Sequence, residues 1–292
     1  MGNGRSGSSG GSAVFRVVED LRARMAGGDF PLGGPLPAQR QLAEDYDVSR
    51  DTVQKALLQL RDEGWVESRQ GSGTRVVKAQ QVQSYTAKAA KEGRVTLREF
   101  FDEAFTQEEV ALDVFTLTSE SLDTQVRGQI ERIRSGESRP TAISVRMLLP
   151  SESLDLPYPR ALKDESGRLT ARLQKRLLGI THRHSGSLQT YLRQLQAEGL
   201  VESARIEIRH VDLAPAFKLY LLNGAQALHG PYEVLERPIV LSDKETVEAL
   251  DVLGLGAMLT HYLKDANPDS RGSVFMAAWQ AWFDSVWTRL AY

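Results

Sequence analysis

The chain has 292 residues, of which 41% are hydrophobic and 25% charged, with a formal net charge of -2. Those proportions suit a globular protein of two domains and exclude a globally basic nucleic-acid coat, while leaving room for a local basic patch. The absence of cysteine removes disulfides, thiol nucleophiles and thiolate metal sites and suits a reducing cytoplasm, and no apolar run approaches the length of a membrane span.

Residues 1–12 are nearly all Gly and Ser and read as a disordered tail. From Ala13 the pattern becomes helical, with Val14, Val17, Val18, Leu21 and Met25 on one face and Gly27-Gly28 as a stop. A turn-rich connection from Pro31 to Pro37 precedes a short helix marked by Leu42, Ala43 and Tyr46. A third helix opens at Ser49, a good N-cap, carries Val53, Ala56, Leu57 and Leu60 at helical spacing, and stops at Gly64. WVES, the turn RQGSG and TRVV then read as a hairpin with Gly71 and Gly73 in its turn. Helix, helix, tight turn, helix and hairpin within residues 13–78 is the order of a winged helix-turn-helix.

Residues 79–93 are polar and read as an interdomain linker. From 94 to 292 strand candidates (ALDVFTLT, AISVRMLLP, ARIEIRHVDL, FKLYLLNG, PIVL) alternate with helices expected at Leu122–Arg134, Thr170–Leu178, Ser187–Glu198, Lys244–Asp265 and Val274–Leu290. The expected fold class is therefore α+β and α/β: a winged helix followed by a larger α/β domain with a mixed sheet covered by helices. LLQLRDEGWVES at 57–68 resembles YLRQLQAEGLVES at 191–203. The second copy lacks the helix and turn that precede the first, so a shared helix, Gly stop and strand signature accounts for it better than a second winged helix.

The polar face of the third helix could simply be solvated. Its neighbours argue otherwise: Arg40 stands at the start of the preceding helix, Ser49-Arg50 at the N-terminus of the third, and Arg69-Gln70-Gly71 at the hairpin tip. In a helix-turn-helix the second helix enters the major groove, its free N–H groups favouring phosphate and its first side chains meeting base edges. Gln54 and Lys55 continue that face.

LPAQRQLAEDYDVSRDTVQKALLQLRDEGWVESRQGSGTRVV is similar to the winged-helix domain of the GntR family of bacterial transcription regulators, a resemblance covering about residues 13–78. It implies that Arg40, Ser49, Arg50 and Thr52 hold phosphates or bases and that the Gly71 tip enters the minor groove. The family usually has Arg where this chain has Gln54. Arg reads guanine bidentately and Gln pairs better with adenine, so a different operator is expected. Residues 13–78 hold ten Lys or Arg and ten Asp or Glu, so affinity for random DNA should be modest and two linked domains are needed.

In the second half, APAFKLYLLNGAQALHGPYE resembles the phospholipase D superfamily signature His-x-Lys-x-x-x-x-Asp followed by Gly-Ser. Lys218 is retained, with Ala216 at the His position, Asn223 at the Asp position and Gly230-Pro231 in place of Gly-Ser. The superfamily's nucleophile is that His, so hydrolysis by its route is lost, and the chain is expected not to be an enzyme. Lys218 and Asn223 could still bind an anion, against the plainer reading of a strand ending in an Asn-Gly turn. Thr118, Ser119 and Glu120 sit where a strand's C-terminal end meets a helix, the usual ligand position in open α/β sheets, although they also suit an ordinary N-cap. His182 and His184 have poor metal-site spacing, and neither a metal nor a cofactor is expected. Phe275, Trp279, Trp282, Phe283 and Val286 form an apolar stripe suited to core packing or a subunit contact. The combined expectation is a two-fold homodimer on a pseudo-palindromic double-stranded DNA operator, tuned by a small effector at the C-terminal domain. An enzyme tethered by a DNA-binding module and a ligand-free dimerisation domain are the alternatives.

Overall fold

Val17, Val18, Leu21 and Met25 recur at three- and four-residue spacing, and in the computed structural model of the protein they lie buried along one face of α1 (Ser9–Gly27). The structure describes residues 9–27, 29–30, 33–62, 65–69, 73–77, 81–83, 95–242, 245–252, 254 and 258–292. The helix begins ahead of Ala13, so residues 9–12 of the expected tail are helical; residues 1–8 lie outside the described residues. After α1 come α2 (Gln39–Asp45), α3 (Arg50–Asp62) and an antiparallel hairpin of β1 (Val66–Arg69) and β2 (Gly73–Val76). Leu36, Leu42, Val53, Ala56, Leu60, Trp65 and Val76 join the buried face of α1 in one core. This is the expected winged helix-turn-helix. The connection before α2 props the hairpin: Gly33 N–H donates to the Val76 carbonyl at 2.7 Å and Leu36 N–H to that of Thr74 at 2.8 Å.

The larger region runs β3 (Gln81–Gln83), β4 (Val95–Thr96), α4 (Leu97–Ala104), β5 (Glu109–Phe115), α5 (Glu120–Arg134), β6 (Ala142–Pro150), β7 (Arg160–Ala161), α6 (Arg168–Ala197), β8 (Ser203–Val211), β9 (Phe217–Leu222), β10 (Gln226–Pro231), β11 (Val234–Ser242), β12 (Glu245–Val252), β13 (Leu259–Leu263) and α7 (Arg271–Arg289). Eight strands form a mixed sheet in the order β4-β3-β13-β10-β9-β5-β6-β8, and β11-β12-β7 form a second, three-stranded sheet. The helical crossovers α5 and α6 make β5, β6 and β8 parallel, while a short turn makes β9 and β10 antiparallel neighbours and β13 returns after β11 and β12 to pair antiparallel with β10. Alternate residues of the central strands face opposite ways. Leu112, Val114, Val145, Met147 and Tyr220 pack under α4, α5 and the second half of α6, whereas Phe115, Leu148, Leu219 and Leu221 pack under α7.

Several expectations change. The helix expected over Lys244–Asp265 is two strands, β12 and β13; Val247, Ala249 and Asp251 are buried and alternate with exposed Thr246, Glu248 and Leu250, a period of two. The two helices expected over Thr170–Leu178 and Ser187–Glu198 are one, α6, which runs through Gly179 and Gly186. Leu173, Ile180, His184, Leu188, Leu192 and Leu195 hold a single buried stripe along it, and that burial outweighs a cost of about 1 kcal/mol per interior glycine. Part of the expected linker, Gln81–Gln83, is a strand of the large sheet, pairing in parallel with β13; residues 84–94 lie outside the described residues. The near-repeat is resolved as a helix-to-strand passage in both places, α3 into β1 and α6 into β8, with Gly199 left-handed at φ 70° in the second. Among the described residues, no helix is long and apolar enough to cross a membrane.

Candidate nucleic-acid interface and ligand cavity

The turn between α2 and α3 is set by Asp47, whose φ of 49° reverses the chain without a glycine. Ser49 then caps α3: its Oγ accepts from the Thr52 N–H at 3.1 Å and lies 2.9 Å from Thr52 Oγ1. That cap is worth about 1 kcal/mol and leaves the remaining N–H groups of the first turn pointing outward beside Arg50. Arg40, Arg50, Gln54 and Lys55 are all exposed, with Thr52 partly so, while Val53, Ala56 and Leu60 are buried on the opposite side. Arg40 is held by Glu44 at 3.1 Å and Lys55 by Asp51 at 2.9 Å, both one turn away on exposed surface. Such exposed pairs are worth less than about 1 kcal/mol. α3 thus presents a polar edge at the end where its dipole is positive. Arg69 closes β1 opposite Gly73. Gln70 and Gly71, expected at the tip, lie outside the described residues.

The second constellation lies at the C-terminal end of β5, between its parallel neighbour β6 and its antiparallel neighbour β9. The loop Thr116–Ser119 leaves the strand here and α5 begins. Ser119 occupies the N-cap position without making a side-chain cap, and its fully buried Oγ has no hydrogen-bond partner among the described residues. Ser121 Oγ accepts from Lys218 Nζ at 2.8 Å. Lys218 is 2% exposed, and burial pushes its ammonium down to about 7, with Glu120 pulling the other way. The Tyr232 hydroxyl accepts from the Leu117 N–H at 2.9 Å and lies 3.1 Å from Thr116 Oγ1; burial raises its ionisation well above the usual tyrosine range, against the lowering effect of both bonds. One turn along α5, Asp123 meets His184 Nδ1 at 2.7 Å and Arg127 at 3.2 Å. His184 Nε2 is buried without a partner among the described residues.

The structure brings Thr118, Ser119, Glu120 and Lys218 together but leaves Asn223 out. Asn223 sits at the far end of β9, left-handed at φ 53° beside Gly224 at φ 60°; its Oδ1 accepts from the Ala111 N–H at 2.8 Å and its Nδ2 donates to the Ala104 carbonyl at 2.9 Å. Both ends of the amide are used in the turn, which is the plainer reading of that motif. His182 and His184 diverge likewise, His182 to Glu152 at 2.6 Å and His184 to Asp123. Among the described residues no three metal-ligating side chains cluster.

Missed by the sequence reading is a cavity of about 80 Å³ in front of the α5 N-terminus, lined by Thr118 and Glu120, by Arg176 and Arg237, and by Arg22 and Trp65 of the winged helix. These residues are far apart in sequence, and Arg22 and Trp65 join the others where α1 docks on α5. Arg22 lies 3.9 Å from Glu120, and Arg98 of α4 bonds Asp29 at 2.7 Å along the same seam.

Residues 14–76 match the family described as "Bacterial regulatory proteins, gntR family". Over 65 residues, 22% of this chain and 25% of the relative, the chain is 42% identical to the Exu regulon transcriptional regulator of Escherichia coli (strain K12). It is 34% identical over 70 residues to the HTH-type transcriptional repressor NagR of Bacillus subtilis (strain 168), covering 24% of this chain and 29% of that one. The chain thus spans about a quarter of the length of the curated relatives it matches. Likeness to a solved Streptococcus agalactiae GntR structure is 21% in identity, over 42% of this chain and 64% of that one, with a TM-score of 0.21. The matches support a GntR-type winged helix; the expected phospholipase D-like character of the C-terminal domain has no support among them.

Proposed function

We propose that this chain, whose residues 14–76 form a GntR-family winged helix-turn-helix domain, is a sequence-specific DNA-binding transcription regulator. The carrying observation is the exposed edge of Arg40, Arg50, Gln54 and Lys55 around the capped N-terminus of α3. It combines cations for phosphate, free N–H groups and a planar amide able to read a base edge. Arg40, Ser49, Arg50, Thr52, Lys55 and Arg69 hold phosphate or sugar, with the tip Gln70-Gly71 in the minor groove, and Gln54 reads a base. Because one winged helix reads one half-site, the working species is a two-fold homodimer on a pseudo-palindromic operator.

The C-terminal α/β domain is a sensing and dimerisation domain. Its ligand contact falls at Thr118–Glu120, with Lys218 behind Ser121 supplying positive charge when protonated. A small ligand acts by preferring one arrangement of the two winged helices.

The test is a fluorescence-polarisation titration of the full-length protein on a fragment of its own promoter, against scrambled DNA of equal length, at two salt concentrations. Tighter promoter binding at both salts is the expected result. Equal, steeply salt-dependent binding to both would leave phosphate contact alone and overturn the reading.

A further inference from the structure

A second cavity, of about 170 Å³, opens where the parallel strands β5, β6 and β8 end and the first half of α6 passes over them. Open α/β sheets take their ligands outside the carboxyl ends of the strands, in hollows with mostly apolar walls and a few polar groups. Leu154 and Leu156 of the loop after β6, with Leu177 and Leu178 of α6, supply the apolar walls. Most of the polar groups on the wall are already engaged. Glu152 meets His182 at 2.6 Å, Gln174 donates to the Leu156 carbonyl at 3.0 Å, Thr181 donates to the Leu177 carbonyl at 3.2 Å, and Ser151 accepts from the Tyr292 hydroxyl at 2.6 Å. Lys175 and His210 differ: both line the cavity, and neither side chain has a hydrogen bond or ion pair among the described residues. Lys175 is exposed at the rim and His210 is half-buried. His210 lies on the same face of β8 as Ile206 and Ile208, and its main chain is fixed by bonds to that of Tyr292 at 3.0 and 3.1 Å.

We infer that this cavity binds a small carboxylic acid with a short apolar body, the leucines taking the body and Lys175 with His210 taking the carboxylate. An ammonium and an imidazole N–H give a carboxylate charge-assisted hydrogen bonds, while each buried methylene adds to affinity independently of them. A neutral alcohol would fill the leucine walls and leave both donors unanswered, and a bare anion would answer the donors and leave the leucines wet. Glu152, turned to His182, does not compete for Lys175. The site lies apart from the contact proposed at Thr118–Glu120 and does not depend on the regulator reading.

The experiment titrates full-length protein by calorimetry with acetate, butyrate and hexanoate and with 1-hexanol as the uncharged control, at constant ionic strength, and follows melting temperature in parallel. Hexanoate is expected to bind saturably, one molecule per chain, and to raise the melting temperature. Affinity should rise about fourfold per methylene from acetate to hexanoate. Lys175→Gln should weaken hexanoate about fivefold and leave 1-hexanol unchanged, and His210→Gln should act in the same direction. Lys163→Gln, an exposed change outside the cavity, should bind as the parent does. Melting temperatures without ligand show that the variants are folded. No saturable response to hexanoate, equal affinity for acetate and hexanoate, equal affinity for hexanoate and 1-hexanol, or undiminished hexanoate binding by both Lys175→Gln and His210→Gln would overturn the inference. Specific promoter binding without any hexanoate response sinks this site alone, and hexanoate binding without specific DNA binding sinks the regulator reading while this site stands.

Discussion

Gln54 is exposed on α3 and its neighbour Val53 is buried, so its side chain can be changed with little effect on stability. Gln54→Arg is expected to shift the preferred base at one position of each half-site from adenine to guanine. The discrimination should be about 1–3 kcal/mol, read by polarisation titrations against operators substituted at single positions, with an unchanged melting temperature. Lys218 is the opposite case, a buried ammonium whose ionisation the fold pushes down to about 7. The unfolded chain keeps that proton up to about pH 10.4, so between pH 7 and 10 unfolding takes up a proton and stability rises with pH. Below pH 7 the penalty is fully present, at about 1.4 kcal/mol for each unit of depression. Lys218→Met should therefore be more stable than the parent near neutrality, and the gap should close as the pH approaches 10. Melts of both proteins across that range check it, and a constant gap would mean that Lys218 does not titrate there.

Two glycines show how an element's surroundings decide what its sequence cannot. Gly230 in β10 pairs with Lys218 across the sheet, and a Cβ there would stand 2.1 Å from the Met258 carbonyl oxygen. Gly128 lies inside α5, exposed, with nothing within 4 Å of its added Cβ. Gly230→Ala is expected to destabilise by about 3 kcal/mol, because backbone must move to admit the methyl group. Gly128→Ala should stabilise by about 0.5–1 kcal/mol through helix propensity. Urea titrations of the two variants should thus move in opposite directions. The same contrast explains which elements were legible. The stripe of α1, the cap of α3 and the apolar strands β5, β6 and β9 follow from local pattern and were read correctly. Residues 245–252 and 259–263 mix Thr, Val, Leu, Ala and Glu in proportions that fit either period, and only pairing with β11 and β10 selects the strand.

For the whole molecule the governing question is how many winged helices meet the DNA. Ten basic and ten acidic residues over 13–78 predict little unspecific attraction, so one domain on one half-site is expected to bind weakly and the proposed dimer to supply the rest. Sedimentation of full-length protein with a duplex carrying both half-sites is expected to give two protomers per duplex, and a single protomer at saturation would remove the dimer from the proposal. The seam between the winged helix and the larger region contributes in a different way. Its Arg98–Asp29 pair is substantially exposed, at 44% and 42%, so it adds at most about 1 kcal/mol to docking and leaves the arrangement open to bias by a ligand.

The amino-acid sequence by itself determined the winged helix, its polar edge and the alternation that makes the C-terminal domain α/β. Each of these depends on residues within a turn or a strand of one another, where spacing is enough to fix what faces inward. It also singled out Asn223, which the tertiary structure then assigned to a turn through bonds to Ala104 and Ala111. Tertiary structure alone decided the continuity of α6 and the strand identity of 245–252 and 259–263. The meeting of Arg22, Trp65, Glu120, Arg176 and Arg237 around one cavity belongs there too. Those outcomes depend on contacts between segments tens to hundreds of residues apart, and no periodicity within a segment records what will be packed against it.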